Sequence, residues 1–225
     1  MGKNYYDLRD EFPSEENFKE AAEHLNIPDY DKNRKPVYIR MATEDDAEEL
    51  LKIYSYYVTE TAVTYEEETP SVEEFRNRIR TIRSSFPYYV AEKDGRILGY
   101  AYASKFRTRA AYRWNSEFSI YVDKDVHRLG IGSLLLDAVE ETLKRQGFFN
   151  LYAIVSASQK QSKYIPGESL PFHLKHGFAE EGCLSKVGVK FGEWFDTVYL
   201  VKRLKENTNN PSEPQPYFIA YDKIL

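Results

Sequence analysis

The residues with the clearest potential for chemistry form a short glycine-bearing run at positions 127–133. An apolar run at 118–122 precedes it and predicts a strand, while the pattern at 133–146 predicts an amphipathic helix. The first backbone N–H groups of a helix have no partner inside it, and they lie at the positive end of the helix dipole. Gly130 and Gly132 let an anion approach this backbone closely, because neither residue has a Cβ atom. The run therefore predicts a binding site for a phosphate or diphosphate group.

The spacing of the glycines separates the kinds of phosphate site. A dinucleotide-binding turn needs G-x-G-x-x-G/A, and counting from Gly130 the last position is Leu135. The P-loop string G-x-x-x-x-G-K-[ST] does not occur in the chain. An ordinary glycine turn in front of a core helix stays open as an alternative. The pattern His127-x-x-Gly130-x-Gly132 resembles the pyrophosphate loop of the GNAT acyltransferases, [Q/R]-x-x-G-x-[G/A], with His127 as a departure and Arg128 as a fixed positive charge beside it.

Composition argues against several classes of protein. The 225 residues suit one domain with extensions or two small domains, and a net charge of -5 argues against a general nucleic-acid binder. We expect a cytoplasmic protein with no membrane contact, because no stretch is long and apolar enough to span a bilayer and the first ten residues are polar. Cys183 is the single cysteine, which excludes an intramolecular disulfide and a cysteine zinc site. The four histidines lack metal-binding spacing, so no metal is expected.

Hydrophobic periodicity predicts the order of the elements. It gives a strand, two helices, three strands, a helix, a strand, a helix and two strands, with a hairpin at Asp94-Gly95. This order predicts the α+β class, with a mixed central sheet flanked by helices. The GNAT fold has the same order, and the resemblance implies it for a domain at 37–204. Residues 1–36 are predicted to form an N-terminal helical extension, and residues 205–225 a C-terminal tail.

Five segments of the chain resemble segments of the phosphinothricin acetyltransferases, a family within the GNAT enzymes, and they occur in the same order. This resemblance implies acetyl-CoA as the cofactor, a small amino-acid-like amine as the acceptor, and a homodimer. One departure is Pro166, which replaces the family's Asn and has no amide N–H to offer the cofactor. The matching segments are Arg40-Met-Ala-Thr43, the stretch from Arg107 to Glu117, Ile120-Tyr-Val122, Ser169 with His173, Gly177 and Phe178, and Gly192-x-Trp194-x-Asp196.

Acetyl transfer from a thioester to an amine needs a base for the ammonium, a donor for the thioester oxygen, and an acid for the departing thiolate. Glu117 is the predicted base, acting directly or through a water, because burial near the central strand would raise its pKa. A solvated Glu117, or one paired with Arg109 or Arg113, is the alternative. His173 matches the family's histidine and is the candidate acid, although a merely capped or solvent-facing helical histidine is equally compatible.

The resemblance also implies the residues that hold the cofactor. The strand that carries Glu117 is expected to splay from its neighbour, so that main-chain groups on its exposed edge contact the pantetheine arm. The N–H of Ile120 or a neighbour is expected to hold the thioester oxygen. Plain core packing of the strand side chains is compatible with this role. The predicted cofactor-binding residues are Ile120, Tyr121, Val122, Arg128, Leu129, Gly130, Ile131, Gly132 and Ser133.

The acceptor pocket is predicted from charge and from aromatic residues. Arg109, favoured by the family match, would hold the acid group of the substrate through its guanidinium fork, and a solvated loop is the alternative. Tyr65, Tyr112 and Trp114 are candidate pocket walls, although aromatic residues at such positions are more often core.

Three functions follow from these residues. The first is an N-acetyltransferase for phosphinothricin, methionine sulfoximine or methionine sulfone, with direct attack and no acyl-enzyme. The second keeps the cofactor but acetylates a peptide, a lysine, a polyamine or an antibiotic amine. The third is a regulatory module that binds acetyl-CoA without transfer, which the departures at His127 and Pro166 favour and which Glu117 opposes.

Overall fold

The computed structural model describes residues 37–126 and 130–216, so the predicted extension at 1–36 lies outside the described residues. Within the described ranges, seven strands form one sheet and four α-helices pack against it, which confirms the predicted α+β architecture. None of these helices is long and apolar enough to cross a membrane. The elements are β1 Tyr38–Met41, α1 Ala47–Glu60, α2 Val72–Arg83, β2 Tyr88–Lys93, β3 Arg96–Lys105, β4 Asn115–Val122, α3 Ile131–Gln146, β5 Asn150–Ala157, α4 Ser169–Lys175, β6 Ala179–Lys190 and β7 Glu193–Arg203.

Local signals in the sequence explain where the first two helices begin. The N–H of Thr43 donates to Asp46 Oδ2 at 2.6 Å, as in a capping box, but the box opens a 3₁₀ turn before α1 starts. The Oγ of Ser71 accepts the N–H of Glu74 at 3.1 Å and caps α2. Gly147 ends α3 with a φ of 100°, a left-handed conformation that favours glycine.

The strand order in the sheet is β1-β2-β3-β4-β5-β7-β6. All neighbouring pairs are antiparallel except β4 and β5, which run parallel because α3 crosses between them. β4 begins at Asn115, three residues earlier than the apolar run predicts, so Glu117 lies inside the central strand. β6 forms the edge of the sheet at the C-terminal side.

The two faces of the sheet carry separate apolar cores. Phe118 of β4 packs with α3 and α4 on one face, in a cluster that includes Leu135 and Phe178. Tyr121 of the same strand packs on the other face, against the cluster that includes Leu50 of α1 and Phe75 of α2. Successive side chains of a strand point to opposite faces, so β4 contributes to both cores. This alternation decides which groups of β4 each face can use.

Candidate functional site

The sheet opens between β4 and β5, and this opening forms a deep cleft. The two strands pair in parallel as far as Phe118 and Ala153. β4 then continues to Val122 and β5 to Ala157, so their second halves separate. The splay that the family resemblance implied is therefore present in the structure.

Backbone groups of β4 face this opening. The N–H of Asp123 donates to the carbonyl of Leu98 at 2.8 Å, which directs the backbone of Asp123 toward β3. Alternate residues of an antiparallel strand turn their backbone groups to opposite sides, so the N–H and C=O groups of Ile120 and Val122 face the opening. The hydroxyl of Tyr57 donates to the Val122 carbonyl at 2.6 Å and occupies one of these groups.

The cleft has a volume of about 1170 Å³, somewhat above the ~300–1,000 Å³ of ordinary ligand pockets. Its walls are the second halves of β4 and β5, the first turn of α3, the segment that enters α4, and two tyrosines of α1. Pro166 also lines it, so the departure from the family pattern lies at the cleft itself. Arg128 and Leu129 lie outside the described residues. The predicted site residues that line the cleft are Ile120, Val122, Gly130, Ile131, Gly132, Ser133 and His173.

The first turn of α3 presents to the cleft backbone amides that have no acceptor among the residues that the structure describes. Gly130 is its N-cap, with a φ of 73° that favours glycine. The N–H of Leu134 donates to the Gly130 carbonyl at 3.1 Å, which starts the helical ladder. The N–H groups of Ile131, Gly132 and Ser133 precede that bond and have no acceptor within the helix. Together with the helix dipole, these donors suit an anion such as a diphosphate.

Gly132 is needed for a different reason. A Cβ atom at this position would lie 3.0 Å from Cε2 of Phe172 and 3.7 Å from Cδ1 of Ile120. The missing side chain therefore lets α4 pack directly against the first turn of α3 and leaves the amides accessible. We call the N–H groups of Ile131, Gly132 and Ser133 the diphosphate cradle. These groups suit a diphosphate because they can donate hydrogen bonds and because no Cβ atom shields the backbone at Gly130 or Gly132.

The side chains of Glu117 and Phe118 point to opposite faces of β4. That of Glu117 lies on the face that α1 and α2 cover. This side chain is half-buried, and the resulting desolvation raises the pKa of Glu117. The guanidinium of Arg107 opposes the shift through its positive charge. Arg113, one of the two arginines considered as a partner, is ion-paired with Glu213 instead. A carboxylate with a raised pKa in this position can take a proton at neutral pH.

Tyr121 is a predicted cofactor residue that the structure does not bring into the cleft. Its backbone is in register with Tyr100 of β3, and its ring contacts Tyr54 and Tyr57 with centroid distances of 4.9 and 5.2 Å. The alternation of the strand thus directs both its side chain and its backbone away from the opening.

His173 lies at the floor of the cleft and is 3 % exposed. Its Nδ1 lies 2.7 Å from the Ser169 carbonyl oxygen, which can only accept, so the proton of the neutral ring resides on Nδ1. Burial lowers the pKa of His173. The rings of Phe118, Phe172 and Phe178 surround it edge-on. The geometry therefore favours a neutral ring with a bare Nε2, which accepts a hydrogen bond rather than donating one.

The loop before β4 carries three of the predicted acceptor residues. Arg109 and Tyr112 are exposed there. Trp114 donates from Nε1 to the carbonyl of Ser212 at 2.8 Å, so the C-terminal tail binds this side chain, and Trp114 does not line the cleft. The tail is fixed a second time, because the N–H of Gln215 donates to the carbonyl of Gln146 at 2.7 Å.

Tyr65 is fastened to the hairpin of β6 and β7. Its hydroxyl donates to the Asp196 carbonyl at 3.0 Å and accepts from Thr197 Oγ1 at 3.3 Å. The ring lies so close to Gly188 that a Cβ there would be 2.6 Å from Cε2 of Tyr65. The loop that carries Tyr65 is also held by Lys190, whose Nζ donates to the carbonyl of Thr61 at 2.9 Å.

Two residues that line the cleft, Tyr57 and Phe172, and the nearby His176 were not predicted from the sequence. Tyr57 follows the helical periodicity of α1 and looks like a core residue, yet its hydroxyl reaches Val122. Phe172 and His176 flank the predicted His173, and they contact Gly132 and Ser133 on α3. Their sequence separation from α3 is about forty residues, so spacing alone gives no signal for these contacts.

Comparison with known proteins agrees with this geometry. Residues 39–199 match the protein family described as "Acetyltransferase (GNAT) domain". A phosphinothricin N-acetyltransferase of Alcaligenes faecalis is 35 % identical over 167 residues, which cover 74 % of this chain and 82 % of the relative. An L-methionine sulfoximine/L-methionine sulfone acetyltransferase of Salmonella typhimurium is 27 % identical and covers 75 % of this chain and 95 % of its own. The crystal structure of a phosphinothricin acetyltransferase from Sinorhizobium meliloti in complex with AcCoA superposes with a TM-score of 0.70 at 32 % identity, covering 80 % and 98 % of the two chains.

Proposed function

Since this chain belongs to the GNAT acetyltransferase family and is an acetyl-CoA-dependent N-acetyltransferase, we propose that its acceptor is the α-amine of a small amino-acid-like molecule. The class we propose is phosphinothricin, methionine sulfoximine and methionine sulfone, on which relatives at 35 % and 27 % identity are named to act. The observation that carries the proposal is the half-buried Glu117 on the central strand, whose raised pKa suits removal of a proton from an ammonium.

The cofactor is proposed to lie in the cleft between β4 and β5. When bound, acetyl-CoA supplies an acetyl group activated as a thioester. The N–H groups of Ile131, Gly132 and Ser133 are proposed to hold its diphosphate. The backbone of Ile120 and the N–H of Val122 face the same opening and are available to the pantetheine arm, as an added strand would use them.

Glu117 is proposed to act as the general base, directly or through a water. It takes the proton of the acceptor ammonium, which frees the nitrogen lone pair for attack on the acetyl carbon. The N–H of Ile120 is proposed to stabilise the negative charge on the oxygen during this step. The new C–N bond forms as the C–S bond breaks. The nitrogen releases its second proton, which leaves a neutral amide, and the departing thiolate takes up a proton to become the free thiol.

His173 is proposed to support the floor of the cleft in its neutral form. The resemblance implied an acid, but burial lowers the pKa of His173 and reduces the protonated form that an acid requires. The pH profile of kcat distinguishes the two roles. An acid at His173 predicts a loss of kcat with rising pH that His173→Asn removes, whereas a structural ring predicts no such loss.

Arg109 is proposed to anchor the acid group of the acceptor, because its guanidinium is exposed on the loop that leads into β4. Tyr65 and Tyr112 are proposed as walls of the same pocket. Tyr112 contacts the ring of Phe106 at 6.3 Å, which positions the loop near the start of β4.

A panel of amines with acetyl-CoA and a thiol-release readout tests the function. We expect methionine sulfone, methionine sulfoximine and phosphinothricin to be turned over faster than polyamines or peptides. Glu117→Gln should lower kcat by about 10²–10⁴-fold and leave the affinity for coenzyme A nearly unchanged. Glu48→Gln, an exposed position on α1, is the matched control. Full activity of the Glu117→Gln protein would remove this residue from the mechanism.

The hairpin of β6 and β7 is proposed as the contact between two copies of this chain. β6 is an edge strand of 12 residues and is exposed along most of its length, which leaves backbone groups and apolar side chains open. Trp194→Glu should convert a dimer to a monomer in light scattering, whereas Leu174→Glu, at an exposed apolar position outside the hairpin, should not. A monomeric unsubstituted protein would refute the proposal. The exposed apolar residues of the hairpin are Leu184, Val187, Val189, Phe191 and Trp194.

A further inference from the structure

One polar contact links the proposed diphosphate cradle to α4. The Oγ of Ser133 lies 2.8 Å from Nε2 of His176, and Nδ1 of the same imidazole lies 2.8 Å from the carbonyl oxygen of Phe172. Both ring nitrogens of His176 are therefore engaged, one on its own helix end and one on the first turn of α3. His176 stands at the C-cap of α4 and is half-buried.

The carbonyl of Phe172 fixes the direction of these hydrogen bonds. A carbonyl can only accept, so Nδ1 of His176 carries a proton and donates it. In the neutral ring Nε2 is then bare, and the Ser133 hydroxyl must donate its proton to Nε2. A serine in that state offers only lone pairs to its surroundings. It cannot donate to a phosphate oxygen at the start of α3.

Protonation of His176 reverses the second bond. Nε2 then donates to the Ser133 Oγ, and the serine proton is free to point at an anion. The dipole of α4 favours a cation at its C-terminal end, where His176 stands, whereas the dipole of α3 opposes a cation beside its N-terminal end. A diphosphate at the start of α3 turns that opposition into attraction, because it brings negative charge next to the ring.

We propose that His176 is a positioning residue for the cofactor, which takes up a proton when the diphosphate binds and thereby turns Ser133 into a hydrogen-bond donor. The inference rests on the proposed placement of the cofactor at the first turn of α3. It adds a residue outside the glycine-bearing run and couples binding to the protonation of one imidazole.

The charged and titratable groups on the packed elements set the background for this coupling. His173 and Lys175 share α4 with His176, and positive charge on His176 lowers the pKa of His173. Asp137 lies one turn beyond Ser133 on α3, on the same side of that helix. Cε of Lys202, on β7, lies 3.6 Å from the position that a Cβ atom would take at Gly177, the residue after His176. Lys202 is also ion-paired with Glu140 of α3.

The test is calorimetry of 3′-dephospho-coenzyme A binding at about pH 7 in buffers of different ionisation enthalpy. This ligand keeps the diphosphate but lacks the 3′-phosphate monoester, whose own ionisation near pH ~6 would add protons to the count. The unsubstituted protein is expected to take up a fraction of one proton. His176→Gln should abolish the uptake and weaken binding by about tenfold, roughly the loss of one hydrogen bond.

Ser133→Ala provides the second variant. It should weaken binding to a similar degree, and adding His176→Gln to it should cost little more, because both changes remove the same bond. Thermal melts of each variant verify that the fold is intact. Equal proton uptake in the His176→Gln protein, no uptake in the unsubstituted protein that binds, or additive losses in the double variant would each overturn the inference. Absence of binding to the unsubstituted protein would instead refute the proposed cofactor site.

Discussion

Replacing Gly188 by Ala adds one methyl group to β6 at a place where no room exists for it. A Cβ atom there would lie 2.6 Å from Cε2, 2.7 Å from Cζ and 3.0 Å from Cδ2 of Tyr65. Ordinary contact begins at 3.4 Å, so the ring must withdraw by about 0.8 Å (3.4 − 2.6). Tyr65 cannot do so freely, because its hydroxyl is bound to the Asp196 carbonyl and to Thr197.

The cost of Gly188→Ala follows from these contacts. Overpacking a core by a methyl group costs about 1–3 kcal/mol. Tyr65 is 36 % exposed and can relax toward solvent, so we expect the lower part of that range, about 1–2 kcal/mol. For a domain of this size the free energy corresponds to a fall in Tm of roughly 2–8 °C. The displaced ring also changes the proposed acceptor pocket, and we expect kcat/KM for the acceptor to fall by about tenfold or more.

Thermal melts and acceptor kinetics measure both effects, with coenzyme A affinity as the internal reference. Gly182→Ala is the matched control on the same strand, because a Cβ there meets no atom within 4 Å. Tyr65→Phe separates the loss of the hydroxyl bonds from the displacement of the ring. A Gly188→Ala protein with unchanged Tm would refute the packing argument. A lowered Tm with unchanged acceptor kinetics would instead remove Tyr65 from the pocket.

Two further predictions concern charge. Arg107→Met removes the cation that opposes the pKa rise of Glu117, so the loss of kcat/KM on acidification should begin at a higher pH than in the unsubstituted enzyme. In the Arg107→Lys protein the loss of kcat/KM on acidification should begin at the same pH as in the unsubstituted enzyme. If it also begins at that pH in the Arg107→Met protein, the electrostatic argument is contradicted. Lys190→Met leaves the Thr61 and Thr64 carbonyls without the buried donor that lies 2.9 Å from each, so urea unfolding should show a loss of about 1–3 kcal/mol. A loss below about 0.5 kcal/mol would show that water replaces the ammonium at no cost.

The glycine run and the candidate base were predictable because their signals are local. The free amides before Leu134 follow from a helix that starts after a glycine, and the structure places them as the spacing indicates. Glu117 was predictable as a carboxylate near a buried strand. The face of the sheet on which Glu117 lies was not predictable, because β4 starts earlier than its apolar run and the register of the strand decides to which face each side chain points.

Contacts between segments that are distant along the chain could not be predicted from the sequence. Trp114 is a predicted wall of the acceptor pocket, and the structure adds a contact that the sequence did not indicate, because residue 212 of the tail binds its indole across 98 positions of the chain. The bond between Ser133 and His176 spans 43 positions and depends on how α4 packs over α3. Nothing in the composition of either segment specifies the partner, because a serine and a histidine can each satisfy their hydrogen bonds in many other ways.

The separation of β4 from β5 is consistent with the proposal that one strand contacts both reactants. A strand that loses its neighbour inside a sheet leaves N–H and C=O groups facing a gap, and such groups need partners. Tyr57 supplies one at the Val122 carbonyl, which leaves the N–H groups of Ile120 and Val122 and the Ile120 carbonyl for an extended, amide-bearing ligand. The period of two directs the side chain of Glu117 to the face of the sheet opposite Phe118, whereas the backbone groups of Ile120 face the opening. The proposed base and the proposed thioester-binding groups therefore leave the strand in different directions.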